Sequence, residues 1–179
     1  MNSSTSDTRF QRMDRYEIDL CLHLNHSCRS LGVQPFFSVI SRLGDGVFWY
    51  LLVLALPVVY GYQALPASLH MTAVAICGLL IYKFLKTTLV RHRPYTRHDA
   101  IQVGGRALDQ GSFPSGHTLH ALAFSIVGVA YYPELIWLVA PFSVVVALSR
   151  VVLGLHYPSD VLAGGAIGAV LALVSFTFL

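Results

Sequence analysis

Eight residues of this chain have the types and spacings that phosphate chemistry needs: Lys86, Arg93, Ser115, Gly116, His117, Arg150, His156 and Asp160. Lys86 and Arg93 are seven positions apart, two turns of a helix and nearly one face. With Arg150 they make three cations, and no carboxylate is spaced to neutralise them all. Cations short of partners want an anionic ligand, and arginine forks fit phosphate oxygens bidentately. Ser115, Gly116 and His117 sit where a helix would start, so their backbone N–H groups can also face an anion. Such a ring of donors stabilises the charge of phosphoryl transfer. A neutral His156 can attack phosphorus, and Asp160, one turn later, can orient it by accepting its other ring proton. A protonated His117 can give the leaving group its proton and then activate water. The two imidazoles need opposite charge states at one pH.

These residues must be carried by elements suited to an unusual composition. Fifty-five per cent of the 179 residues are apolar and 12% are charged, with a mean hydropathy of +0.61. A soluble domain carries on the order of 25% charge, so the composition points to a bilayer and away from a nucleic-acid partner, a disordered chain or a disulfide scaffold. Cys21, Cys28 and Cys77 are read as apolar helix residues. No charged residue occurs from Gly46 to Tyr82, too long a run for one helix of roughly 20 residues. Gly61 and Pro66 divide it into helices over about 46–62 and 67–90. Further helices are predicted over about 116–132, 134–153 and 159–179. The fold class is therefore all-α, an integral membrane bundle of about five transmembrane helices plus an N-terminal amphipathic surface helix over about 14–31. Residues 1–45 form a polar N-terminus and interfacial helix, and 46–179 the transmembrane domain. Gly164 and Gly168 form a small-residue packing face.

Alternation of five helices across the membrane gathers all three polar clusters at one bilayer face. The remaining polar residues receive plainer readings. Arg42, Lys83 and Arg91 are headgroup anchors. His70, His92, His98 and His120 are interfacial side chains, and His23 and His26 belong to a wet helix face without a third metal ligand. Arg97, Asp99, Arg106 and Asp109 are solvated loop residues.

The clusters resemble the three signature motifs of the type 2 phosphatidic acid phosphatase superfamily, K-x6-R-P, P-S-G-H and S-R-x5-H-x3-D. Lys86, Arg93 and Pro94 match the first, Pro114 to His117 the second, and Ser149, Arg150, His156 and Asp160 the third. The resemblance implies a phosphatase with no metal or other cofactor, acting through a phosphohistidine on a lipid phosphate drawn from the bilayer. His156 would be the nucleophile, Asp160 its partner and His117 the acid. Lys86, Arg93, Ser115, Gly116 and Arg150 would bind phosphate. Compact bacterial members act on phosphatidylglycerophosphate, undecaprenyl diphosphate, phosphatidic acid or lipid A phosphates, the first two ranking highest. A non-catalytic lipid-phosphate binder or carrier is the alternative, although binding alone needs no oriented nucleophile. The resemblance also implies a bacterial inner membrane and a periplasmic site. The charge distribution points the other way, because all 12 Lys and Arg lie on the active-site side and positive charge ordinarily marks the cytoplasm.

Overall fold

The computed structural model describes residues 4–89, 91–105, 109 and 111–178, with side chains from Arg15 onward. The chain is built from α1 (Ser4–His26), α2 (Val33–Arg42), α3 (Phe48–Tyr60), α4 (Leu65–Thr88), the short α5 (Pro94–Arg97), α6 (Gly116–Tyr131), α7 (Ile136–Val152) and α8 (Pro158–Ser175). Among the described residues there is no strand, only an isolated bridge between His92 and Gly111. The all-α membrane architecture expected from composition is the one observed.

Four stretches are long and apolar enough to cross a membrane: Val33–Tyr60, Tyr62–Thr88, Pro133–Val152 and Pro158–Ser175. Their outer faces carry exposed Leu54, Val58, Leu69, Leu80, Phe84 and Leu162, a surface suited to hydrocarbon rather than water. The remaining predicted helix, the third in order and here α6, has 16 residues and is about 24 Å long. It runs through the centre and packs on α8, α4 and α7. The core around it includes Trp49, Leu56, Met71, Phe124, Val127, Val139 and Val146.

Two boundaries differ from expectation. The first membrane helix begins at Val33, not near Gly46, because α2 continues into α3 through a π-helical turn, Leu43–Val47. The division expected at residue 45 therefore falls inside one helix. A search for charge-free runs stops at Asp45, although a single carboxylate can sit at a membrane boundary when it has a partner. Gly44 lets this turn approach α7, where a Cβ would press on Val146, and Gly46 has φ 137. The second difference is α1. Part of its apolar face packs on protein, while Leu20 stays exposed. Cys21 packs with Ile101, Val151 and Tyr157, and Cys28 with Val152, Leu153 and Leu155. Asn25 fastens the contact, donating to the carbonyls of Gln102 and Val152, both at 2.9 Å, and accepting from the Gln102 amide. His23 and His26 lie on the exposed side.

The small-residue face of α8 is where the bundle is tightest. A Cβ on Gly164 would overlap the Ser115 carbonyl, and one on Gly168 the Leu119 carbonyl. The backbones of α6 and α8 thus touch directly, as small residues permit. Gly165 faces Thr118 and Leu122 at ordinary contact distance. Gly168→Ala is expected to destabilise the detergent-solubilised protein by about 1–3 kcal/mol or more, read as a fall in Tm. Gly165→Ala should leave Tm within about a degree of wild type.

Candidate active site

Lys86 and Arg93 do meet, but not as neighbours on one helix face. Helix α4 ends at Thr88, and Pro94 biases the preceding residue to extended backbone, as Arg93 shows at φ −73, ψ 153. The two cations converge because the chain turns back. Their meeting point is Asp109, read from sequence as a solvated loop residue. Its Oδ1 lies 3.0 Å from Lys86 Nζ and 2.8 Å from an Arg93 terminal nitrogen, and the Tyr82 hydroxyl donates to its Oδ2. Lys86 also donates to the Gly111 carbonyl at 2.6 Å. Burial of Asp109 favours its neutral form, yet Tyr82, Lys86 and Arg93 together hold its carboxyl below the ordinary range. A carboxylate thus occupies two of the three cations.

Arg150 is the third. It is 1% exposed, donates to the Ser41 hydroxyl, and its Nε has no partner among the described residues. An unsatisfied buried guanidinium N–H is costly, and an anion oxygen would satisfy it. Ser115 opens α6 after a cis Phe113–Pro114 peptide. Its own N–H is taken by the Asp160 carbonyl at 3.0 Å, and its hydroxyl pairs with Thr118. The amides of Gly116 and His117, in the first turn, have no intrahelical acceptor. His117 is buried, with Nε2 against the carboxylate of Asp45 from the π-helical turn.

His156 is buried in the α7–α8 connection. Its Nδ1 lies 2.6 Å from the Ser112 carbonyl, which places the proton on Nδ1 and leaves Nε2 with its lone pair, 3.4 Å from an Arg93 terminal nitrogen. Burial, reinforced by Arg150, Arg93 and Lys86, pushes its pKa well below the usual imidazole value. Asp160 Oδ2 is 3.8 Å from Nδ1, so the direct acceptor in this structure is the Ser112 carbonyl and not the carboxylate one turn on. Asp160 instead accepts from the Tyr157 amide at 2.8 Å and pairs with Arg91 at 2.7 Å. Arg91, read as a headgroup anchor, is a junction. It also binds Glu17 at 2.7 Å and the Ser159 hydroxyl at 2.7 Å, and its guanidinium covers the Tyr157 ring at 4.1 Å. Glu17 in turn accepts from the Ser159 amide at 2.9 Å. Helix α1 is thereby tied to the segment carrying His156 and Asp160.

Beside His117 a cavity of about 320 Å³ reaches between α3 and α4, lined by Asp45, Trp49, Tyr82, His120 and Phe124 with apolar side chains beyond. Its inner end is polar and its outer walls suit a hydrocarbon chain. Asp45, Asp109, Arg91, Glu17 and Ser112 all escaped the sequence reading, since none stands at a fixed spacing from the motif residues it supports.

Fold and site define an integral membrane protein that gathers three cations and two buried imidazoles at its helix ends, with a largely apolar cavity beside His117. The model of the PAP2 superfamily matches residues 65–179, and the chain belongs to that superfamily of membrane lipid phosphatases. It is 30% identical over 132 residues to the undecaprenyl-diphosphatase BcrC of Bacillus subtilis, covering 74% of this chain and 68% of that protein. It is 34% identical over 136 residues to a decaprenylphosphoryl-5-phosphoribose phosphatase of Mycobacterium tuberculosis, covering 73% and 71%. Among solved structures, the transmembrane PAP2-type phosphatidylglycerolphosphate phosphatase of Bacillus subtilis superposes with a TM-score of 0.77 at 24% identity, covering 93% of this chain and 86% of that one. LpxE of Aquifex aeolicus also gives 0.77, at 21% identity, covering 89% and 93%.

Because Asp109 and a phosphate would compete for Lys86 and Arg93, Asp109→Asn is expected to bind vanadate and inorganic phosphate more tightly. An increase of roughly five- to tenfold, about 1–1.4 kcal/mol, should appear by calorimetry in detergent. Unchanged affinity would show that the carboxylate does not stand over the anion site.

Proposed function

We propose that this protein is a metal-independent lipid phosphatase that works through a phosphohistidine, with His156 as nucleophile, Asp160 as its partner, and His117 as acid and then base. Lys86, Arg93, Arg150 and the Ser115–Gly116 turn would hold the phosphate. The observation that carries the reading is the state of His156. Its proton is committed to a backbone carbonyl, and its unprotonated Nε2 accepts a long, 3.4 Å bond from the Arg93 guanidinium that would hold the phosphate. The Nε2 lone pair forms the N–P bond, and the P–O bond to the leaving group breaks with its electron pair on oxygen. That oxygen takes the proton of His117. Water, deprotonated by His117, then attacks phosphorus, breaks the N–P bond and releases inorganic phosphate. Each proton and each charge in this sequence is handled by a side chain, which is why metal independence is proposed.

The substrate would come laterally from the bilayer, its headgroup reaching the cations and its tail lying in the apolar cavity. Two relatives that the chain matches over about 70% of their length are named for polyprenyl phosphate substrates, which supports undecaprenyl diphosphate as first choice and phosphatidylglycerophosphate as second. We further place the protein in a bacterial inner membrane with its site toward the periplasm. The engagement of Lys86, Arg91, Arg93 and Arg150 in side-chain pairs and site contacts supports discounting those cations as topology signals.

Purified protein should release inorganic phosphate from undecaprenyl diphosphate in detergent with EDTA present, and His156→Ala should reduce turnover at least about 10⁴-fold. Dependence on added divalent metal would refute the mechanism, and binding without release would favour a carrier. The pH profile offers a second check. Protonation of His156 removes the nucleophile, so activity is lost as pH falls through its pKa. With that pKa depressed, the acid limb of kcat/KM should lie below the ordinary imidazole range. For sidedness, a cysteine at exposed Asp99 in a Cys-free background should react with an impermeant maleimide in intact inner-membrane vesicles only when the periplasmic face is outward.

A further inference from the structure

We infer that Asp45 is the positioning residue for the proton donor, making the helix Val33–Tyr60 a fourth contributor to the catalytic site; the inference rests on the phosphatase reading above. Asp45 lies twenty residues before the family match begins and belongs to none of the three motifs. Its carboxylate nevertheless meets the ring of His117 across the bundle. The backbone shape that puts it there is irregular. Residues Leu43–Val47 form a π-helical turn with Gly46 at φ 137, a conformation that favours glycine. A Cβ on Gly44 would press against Val146 and lie 3.5 Å from His117 Cδ2. Single π turns inside α-helices recur at functional sites because they re-aim one side chain. Here the re-aimed side chain is Asp45.

The chemistry asks for such a residue. His117 must enter the first step protonated, yet it is buried and the Arg150 guanidinium lies near enough to oppose its charge. A carboxylate against an imidazole stabilises the imidazolium and fixes the ring plane. Asp109 is committed to Lys86 and Arg93, and Asp160 to Arg91 and the Tyr157 amide. Asp45 is the carboxylate paired with His117 among the described residues. The same segment also reaches the phosphate side, since the Ser41 hydroxyl accepts from Arg150. In the first step the P–O bond breaks with its electrons on the leaving oxygen, the proton passes from His117 to that oxygen, and the ring is left neutral beside the Asp45 carboxylate. The charged groups facing His117 are Asp45 from the π-helical turn, Arg150 from α7 and His156 from the α7–α8 connection. Tyr82 and His120 share the cavity wall.

Leaving-group dependence tests this directly. An alkyl phosphate needs protonation as its P–O bond breaks, whereas p-nitrophenyl phosphate leaves as a stable anion. For Asp45→Asn, kcat/KM, which reports the phosphorylation step, should fall about 100-fold for an alkyl lipid phosphate. For p-nitrophenyl phosphate it should fall less than about threefold. Asp45→Glu should recover part of the alkyl rate, and Asp45→Asn placed on His117→Ala should add no further loss. Equal losses on both substrates, an undiminished alkyl rate, or additive losses in the double variant would each overturn the role of Asp45. Full turnover by His156→Ala is a separate result that would overturn the phosphohistidine reading beneath it.

Discussion

Arg150 sets the problem that the surrounding structure solves. A guanidinium, always charged, is held inside an apolar helical bundle with one bond to a serine hydroxyl and an Nε that no described residue satisfies. Isolated charge in a low-dielectric interior is costly unless paired and hydrogen-bonded. Close by are Lys86 and Arg93, the latter 1% exposed. Three cations at one end of a membrane bundle repel one another, and folding tolerates them because carboxylates and carbonyls are delivered from elsewhere. Asp109 spans Lys86 and Arg93, the Leu155 and Gly111 carbonyls take further N–H groups, and the Asp45 carboxylate favours the charge on Arg150. The donor left over on Arg150 is one that an incoming phosphate oxygen would satisfy.

That electrostatic demand explains why the backbone packing is so close at this end. The segment after α7 must return so that His156 reaches the Ser112 carbonyl and Leu155 the Arg93 guanidinium. It can do so because Gly164 and Gly168 let α8 lie directly on α6, which in turn brings the Asp160 carbonyl to the Ser115 amide. Helix α1 covers the return. Cys21, buried in that contact, has its thiol pushed up to about 12, chiefly by desolvation, so it acts there as an apolar side chain and not as a nucleophile. The small-residue stripe, the N-terminal helix and the loop carrying His156 form one mechanical unit, with Arg91 and Glu17 as its polar fastening.

What could be read from sequence was whatever has a period or a fixed offset. Helices α4, α6, α7 and α8 announce themselves as apolar runs between turn residues, and Lys86, Arg93, His117, Arg150, His156 and Asp160 stand at motif spacings on helix ends that parity brings together. The supporting residues have no such signature. Arg91 sits two positions from Arg93, at a helix end where a cation ordinarily snorkels, and nothing local shows that Glu17, 74 residues earlier, will meet it. Asp109 lies in a polar loop whose path depends on Tyr82, Lys86 and Arg93 together. Asp45 ended the charge-free run and so concealed a continuous helix. In each case the local rule was sound, and a long-range partner overrode it.

Carboxylate placement also separates two kinds of charge compensation, and the distinction bears on how the site cycles. Asp160 and Asp45 are held by groups that do not leave: the Tyr157 amide and Arg91 for one, His117 for the other. Asp109 is different, because its partners Lys86 and Arg93 are the cations proposed to hold a phosphate. A substrate phosphate reaching these cations would exchange one anion for another, so the net gain on binding would be the difference between two ion-pair sets. Such a difference is smaller than either set alone. Under the proposed function, a site built this way would bind phosphate loosely enough to release the inorganic product, while the apolar-walled cavity beside His117 would supply affinity for a lipid tail.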